Sequence, residues 1–258
     1  MFTSKEKLIQ LYSNTSKHSN YQILPSKIQK ILAQDEIKTK TRLEAERLQY
    51  ILTKVDVRKK KVLDIGANTG FFTFELLDAG AESVHYFEGN REHATFVSLA
   101  VEALNMGDKI QITNEYYTFN NYNESRYDIG LLLNVLHHVG DDYGDKSTSI
   151  KKAKELIIRQ LNDMIQNVDT IIFQLGFNWQ GDPTKPLFNH GTKKEMIEFL
   201  ECGIDDYWRI ESIGIAECIN GRVVYSDINH SNIERDDSLG EFLNRPIFLL
   251  KSKRGLHI

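Results

Sequence analysis

The sequence predicts an α/β fold with a parallel central sheet, and two observations support that prediction. Apolar strand-like segments alternate with amphipathic helical segments along most of the chain, which is typical of parallel βαβ units. The segment VLDIGANTG at 62–70 then joins a buried strand to a turn bracketed by Gly66 and Gly70, with Asp64 just before it. This turn is typical of a nucleotide-binding site.

The periodicity of apolar residues predicts each element in order. The spacing of apolar residues predicts amphipathic helices within residues 1–57. Beyond them we expect strands at 61–66, 83–88, 109–114, 127–134, 170–175, 209–219 and 247–251. Helices are expected at 70–79, 91–105, 147–167 and 193–202. The connection 220–244 is longer than a common loop, and such connections are often lids or binding loops.

Composition limits the functional classes. A chain of 258 residues, 41% hydrophobic, is enough for one large domain with additions. Its net charge of −4 disfavours nucleic acid as a partner. Cys202 and Cys218 lack metal-binding spacing, which predicts buried free thiols in a reducing cytoplasm. With no signal-peptide pattern and no apolar run near the roughly 20 residues of a membrane span, we expect a cytoplasmic protein without a membrane partner.

The glycine turn does not match a dinucleotide-binding fingerprint. That fingerprint needs GxGxxG, whereas Asn68 occupies its middle position here and a carboxylate, Asp64, precedes the turn. Glu88, at the end of the next predicted strand, is placed to accept hydrogen bonds from both hydroxyls of a ribose. A cationic or zwitterionic nucleoside suits these acids better than a pyrophosphate does.

Three motifs in this order resemble the class I S-adenosylmethionine-dependent methyltransferases: VLDIGANTG, Glu88, and YDIGLLLNVLHHVG at 127–140. The resemblance covers about residues 58–252 and implies a methyltransferase domain at 58–258, preceded by a helical extension or lid at 1–57. It implies a Rossmann-like seven-stranded sheet of order 3-2-1-4-5-7-6, with the last strand antiparallel and helices on both faces. The cofactor implied is S-adenosyl-L-methionine. Asn68 replaces a glycine of many members, a change that some branches tolerate.

The resemblance also assigns cofactor contacts by position. Those around the methionine part are Asp64, Gly66, Asn68 and Gly70; the ribose contact is Glu88; the adenine contact is Glu115 or Tyr116; and the contact to the amino group, through its backbone, is Asn134. The alternative is that Gly66 and Gly70 are structural turns of an unrelated α/β protein. That alternative leaves Asp64 and Glu88 unexplained.

Two histidines follow the predicted fourth strand, where ligands sit in open α/β sheets. His137 or His138 is a candidate catalytic base for a hydroxyl acceptor, and position favours His138 slightly. Alternatively, one of them packs against the following loop. A phosphate or carboxylate acceptor is already anionic and mainly needs positioning.

Three aspartates follow the histidines, at positions 141, 142 and 145. Their oxygens could bind a divalent ion. A solvated acidic turn that caps a helix from Ser147 explains them better, so no metal ligand is assigned.

Polar side chains gather in the loop after the fifth strand and before the last one. The candidate substrate-binding residues are Asn178, Trp179, Lys185, His190 and Arg245. A plain surface loop explains the first four nearly as well. From the N-terminal segment, Tyr21, Arg42 and Arg47 could form a helical lid, and packing onto the sheet explains them about equally.

The segments LLLNVLHHVGDD, IIFQLGFNWQGD and SLGEFLNRPIFLLKSK resemble methyltransferases of bacterial surface-polysaccharide clusters, in particular those of the methyl phosphoramidate decoration of capsules. This resemblance implies an O-methyltransferase acting on a small polar, phosphate-bearing metabolite or sugar intermediate. One alternative is an RNA or tRNA methyltransferase, which needs a basic funnel and exposed aromatic residues. The other is a non-catalytic cofactor-binding subunit. The oligomeric state is not indicated.

Overall fold

The structure is a computed structural model that describes residues 4–13, 22–32, 39, 41–119 and 125–254. Its contacts divide the chain between Tyr117 and Thr118 into two compact units. The boundary at residue 57 stays a prediction. Among the described residues, no helix is both long enough and apolar enough to cross a membrane.

The first unit begins with helices and continues as alternating strands and helices. Its elements are α1 (Ser4–Ser13), α2 (Ser26–Leu32), α3 (Glu44–Lys54), β1 (Lys61–Ile65), α4 (Phe71–Asp78), β2 (Ser83–Phe87), α5 (Arg91–Ala103) and β3 (Ile110–Thr113). Strand β2 pairs in parallel with β1 on one side and with β3 on the other. The N-terminal helices share the apolar core of this unit, since Leu8 and Ile28 are buried in one cluster with Phe74 of α4 and Phe96 of α5.

The second unit has a mixed arrangement of strands. Its elements are β4 (Tyr127–Leu133), α6 (Ile150–Asp163), β5 (Val168–Gln174), α7 (Lys193–Ile204), β6 (Trp208–Ile219), β7 (Arg222–Asp227), α8 (Gly240–Leu243) and β8 (Ile247–Ser252). Strands β4 and β5 are parallel, whereas β8 is antiparallel to both β5 and β6. Strand β7 is antiparallel to β6.

The strand order is β3-β2-β1-β4-β5-β8-β6-β7, in an eight-stranded sheet of Rossmann-like mixed orientation. The predicted α/β class and the antiparallel last strand between the fifth and sixth strands are confirmed. The predicted count of seven strands is wrong because residues 222–227 form β7. Asn220 and Gly221 both have positive φ, which is the backbone of a tight hairpin turn, and Asn-Gly is its strongest local signal.

Two further predictions are corrected. The helix expected at 147–167 begins only at Ile150, with Ser149 as its N-cap, and ends at Asp163 before a short 3₁₀ turn. Cys202 and Cys218 are free thiols as expected, but both are exposed rather than buried. Neither residue lies on the apolar face of its element.

Candidate functional site

The glycine turn of the first unit contains a left-handed asparagine. Asn68 has φ +53°, between Gly66 at +66° and Gly70 at +80°. Asparagine tolerates this conformation better than most residues because its side chain can bond to the local backbone. Here the Thr69 N–H donates to Asn68 Oδ1 at 2.8 Å. Asn68 therefore adopts a backbone conformation that glycine favours.

Glu88 holds this turn in place. Its Oε2 accepts a hydrogen bond from the Asn68 N–H, and its Oε1 accepts one from the Asn90 N–H, each at 2.8 Å. The buried Tyr86 hydroxyl donates to the Asn68 carbonyl at 2.6 Å. Glu88 thus contacts the turn from the end of β2, and its ribose contact stays a prediction.

Asp64 is a buried carboxyl near the carboxyl end of β1. Thr73 Oγ1 of α4 donates to its Oδ2 at 2.6 Å. Burial raises the pKa of Asp64 to about 7, the Thr73 hydrogen bond opposes that rise, and the charge of Glu88 adds to it. A cationic ligand beside Asp64 would stabilise its charged form.

The two alternative adenine residues differ in position. Glu115 is exposed. The Tyr116 ring covers Gly89 so closely that a Cβ at that glycine would overlap it, although 49% of Tyr116 stays exposed. Tyr116 therefore lies beside Gly89, which is the residue that follows Glu88.

Sequence reasoning missed Gln22, whose side chain contacts the two residues on either side of Gly70. No local signal marks it, because it lies more than forty residues earlier in the chain. Of the candidate lid residues, Arg47 is buried with its guanidinium over the Phe72 ring, Arg42 is half-buried, and Tyr21 lies outside the described residues.

In the second unit, Asn134 follows β4 with φ +64°. Its Nδ2 donates to Gln174 Oε1 at 2.9 Å, and Arg245 Nη1 donates to its Oδ1 at 2.8 Å. The fully buried Gln174 completes the cluster by donating from Nε2 to the Arg245 carbonyl at 2.8 Å. The sequence signal for Gln174 is a polar side chain directly after the apolar run 171–173 of β5.

Arg245 is buried and paired with Glu241 of α8. Its Nη2 donates to Glu241 Oε2 at 2.6 Å, and its Nε donates to Glu241 Oε1 at 3.1 Å. The Phe177 N–H donates to the same Oε1 at 3.1 Å. Arg245 therefore joins the ends of β4 and β5 to α8, whether or not it also contacts an acceptor.

The two candidate catalytic histidines have different surroundings. His137 is buried, and its Nδ1 accepts a hydrogen bond from the Gly176 N–H at 3.2 Å. A Cβ at Gly176 would lie 2.8 Å from the His137 ring, so only glycine fits there. His138 is half-buried, with Nδ1 3.4 Å from Asp142 Oδ2 and 3.9 Å from Asp141 Oδ2. Of the two candidate bases, His138 has a carboxylate beside its ring, whereas the His137 ring is held by a backbone N–H.

His138, Asp141 and Asp142 lie on one face of a single turn. The N–H groups of both aspartates donate to the His138 carbonyl, at 3.0 and 3.2 Å. Their three ligand atoms lie within 4.8 Å of one another, which is close enough to share one divalent cation. Asp145 instead accepts from Ser147 N and Oγ, in a turn that precedes the helix cap at Ser149. The expectation of no metal stays a prediction.

The loop after β5 brings only some of its candidates together. Trp179 is buried, and its Nε1 donates to the Val139 carbonyl at 2.7 Å. Lys185 lies over the Trp179 ring at 5.3 Å, while the neighbouring Asn178 is half-buried. His190 is exposed and bonds through its backbone N–H to Glu195 of α7.

No protein-family model and no curated protein matches the chain. Among solved structures, monomeric WbdD is 17% identical over 94% of this chain and 48% of its own, with a TM-score of 0.55. A provisionally named hemolysin from Streptococcus thermophilus is 14% identical over 85% and 69%, with a TM-score of 0.51. These likenesses establish a shared α/β fold, and the chain spans about half the length of WbdD.

A provisionally named RNA methyltransferase, PH1948 from Pyrococcus horikoshii, is also similar to this chain. It is 15% identical over 98% of this chain and 99% of its own, with a TM-score of 0.48. A likeness at this level supports no inference about the acceptor.

Proposed function

We propose that this chain is an S-adenosylmethionine-dependent methyltransferase whose cofactor residues lie mainly in the first unit. The observation that carries the proposal is the turn of Gly66, Asn68 and Gly70 with Glu88 bonded to its backbone. When bound, the cofactor supplies an electrophilic methyl group on a sulfonium. Asp64 fits this group because its buried carboxyl lacks the stabilisation that a cation provides.

The acceptor in this proposal is an oxygen of a small polar, phosphate-bearing metabolite or sugar intermediate of surface-polysaccharide biosynthesis. The sequence resemblance to methyltransferases of such clusters supports this choice. The buried polar cluster of Asn134, Gln174 and Arg245 supports a polar acceptor, since such a cluster keeps polar groups in fixed positions. A hydroxyl acceptor would pass its proton to His138, and an anionic oxygen would need no base.

Transfer of a labelled methyl group tests this proposal. The purified chain is incubated with labelled S-adenosylmethionine and a panel of sugar phosphates, nucleotides, phospho-amino acids and tRNA transcripts. We expect label in a small phosphate-bearing acceptor, and little label with Glu88→Ala. Label in RNA alone would contradict the acceptor class, and cofactor binding without any transfer would indicate a binding subunit. A chelator arm tests the expectation that no metal takes part.

The role of His138 is tested by measuring turnover with the acceptor that the labelling panel identifies. If a hydroxyl is methylated, His138→Ala should lower turnover by about a hundredfold, which is typical for loss of a general base, with little change in cofactor affinity. The matched control is His230→Ala, since His230 is exposed on a loop outside the candidate residues. Unchanged turnover of His138→Ala would exclude His138 as the base and would indicate either His137 or an acceptor oxygen that is already anionic.

A further inference from the structure

Gln22 is anchored at the end of the glycine turn by its side-chain oxygen. Its Oε1 accepts hydrogen bonds from the Phe71 N–H at 3.0 Å and from the Thr69 hydroxyl at 3.2 Å. Thr69 and Phe71 flank Gly70, which is the N-cap of α4 and has no side chain to act as a cap. Gln22 supplies the missing acceptor from a distant part of the chain.

The orientation of the Gln22 amide follows from these contacts. A backbone N–H can only donate, so the atom that faces Phe71 must be the carbonyl oxygen. The amide nitrogen Nε2 therefore points away from the helix. Within the part of the chain that the structure describes, Gln22 Nε2 makes no hydrogen bond, so its two donors are available to a ligand.

The segment that carries Gln22 is held firmly on the first unit. The Tyr12 hydroxyl donates to the Gln22 carbonyl at 2.6 Å, and the Ser26 N–H donates to Glu75 of α4 at 2.6 Å. Leu24 is buried in the core that α1 and α2 share with α5. The position of Gln22 is thus set by packing, as in a preorganised binding group.

We propose that Gln22 is a cofactor-binding residue whose Nε2 donates to the carboxylate of the methionine part of S-adenosylmethionine. This inference rests on the proposed function, in which the turn from Gly66 to Gly70 surrounds that methionine part. The carboxylate is the one anionic group of the ligand, and an amide N–H₂ is a suitable donor to it. The nearby acids, Asp64 and Glu88, suit the cationic and hydroxyl groups instead.

The test compares one ligand that has the amino-acid part, with its carboxylate, and one ligand that lacks this part. S-adenosylhomocysteine has the amino-acid group, whereas 5′-methylthioadenosine lacks it. Calorimetry with Gln22→Ala in the full chain should show about tenfold weaker binding of S-adenosylhomocysteine, the usual effect of one hydrogen bond to a charged group. Binding of 5′-methylthioadenosine should be unchanged. Equal weakening of both ligands, or no weakening, would overturn the proposal, because a cap for α4 affects both alike.

Two further variants keep this test decisive. Gln22→Glu retains an acceptor for Phe71 and Thr69 but replaces the donor by an oxygen, so it should lose affinity only for the ligand with the carboxylate. The matched control is Lys27→Ala, which removes the Lys27–Asp78 ion pair of 2.5 Å between the same segment and α4. It should bind both ligands as the wild type does. A wild-type chain that binds neither ligand would refute the proposed function itself, which is a separate outcome.

Discussion

Two asparagines follow strand ends in left-handed backbone, and they are held in opposite ways. Asn68, after β1, is held through its backbone, which donates to Glu88 and accepts from Tyr86. Asn134, after β4, is held through its side chain, which bonds to Gln174 and Arg245. Apart from the local bond of its side chain to the Thr69 N–H, Asn68 is held by backbone contacts, whereas the side chain of Asn134 joins separate elements. The two units therefore respond differently to substitution.

The largest effect is expected in the side-chain cluster of the second unit. Arg245→Ala leaves the half-buried Glu241 and Asn134 without their partner and should lower the free energy of unfolding by about 2 to 3 kcal/mol. Urea denaturation measures this loss. Arg245→Lys should recover only part of it, because an ammonium cannot reproduce the paired guanidinium contacts. Arg222→Ala, at an exposed arginine of β7, is the control, and an equal loss there would contradict the account.

The next largest effect concerns Glu88 in the first unit. Glu88→Ala removes the acceptor of two backbone N–H groups and the proposed ribose contact, so cofactor affinity should fall about 30- to 100-fold, as for loss of charge-assisted hydrogen bonds. Equilibrium dialysis with labelled cofactor gives the dissociation constants. Glu82→Ala removes an exposed acid just before β2 and should bind normally. An unchanged affinity for Glu88→Ala would exclude Glu88 from the site.

A pH dependence of moderate size follows from Asp64. Because its pKa in the folded chain is about 7, a cation that binds the charged form should bind about tenfold more weakly at pH 6 than at pH 8. Thr73→Val removes the hydrogen bond that opposes the raised pKa, so the affinity profile should move to higher pH. A profile that Thr73→Val leaves in place would show that another group titrates.

The raised pKa of Asp64 affects stability in the opposite direction: cofactor affinity should rise with pH, whereas the contribution of Asp64 to the free energy of unfolding should fall. Burial raises the pKa of Asp64 from 3.8 to about 7, so the folded chain binds more protons than the unfolded chain between these values. The contribution of Asp64 to the free energy of unfolding is therefore greatest below about pH 4 and falls as the pH rises to 7. Asp64→Asn should flatten this part of the stability profile. Denaturation at several pH values checks it.

The smallest effects should distinguish the two asparagines directly. Asn68→Gly keeps the left-handed backbone and should change cofactor affinity by no more than about threefold, since glycine adopts positive φ without strain. Asn134→Gly keeps the same conformation but loses two side-chain hydrogen bonds, so it should lower the free energy of unfolding by about 1–2 kcal/mol. Asn68→Gly should lower the free energy of unfolding less than Asn134→Gly does. Equal losses of stability would show that the two asparagines do not differ in how they are held.

The glycine turn of the first unit could be predicted from sequence because its strand and both glycines lie in one contiguous motif. A strand, two glycines and an acid on the next strand define the turn, and a parallel sheet brings Glu88 beside Asn68. The side-chain cluster as a whole could not be predicted, because Asn134, Gln174 and the Glu241–Arg245 pair are far apart in sequence and meet only through tertiary packing. Gln22 is hidden for the same reason. Strand β7 is different, since its Asn220-Gly221 turn was a readable signal.

We propose above all that the turn beside Asp64 binds a cationic nucleoside. The number of protons released on binding tests this proposal most directly. Calorimetric titration of the full chain with S-adenosylmethionine is carried out in buffers of different ionisation enthalpy. Because the pKa of Asp64 is about 7, binding should release about 0.9 proton at pH 6 and about 0.5 at pH 7. Absence of binding, or binding without proton release at either pH, would contradict the account.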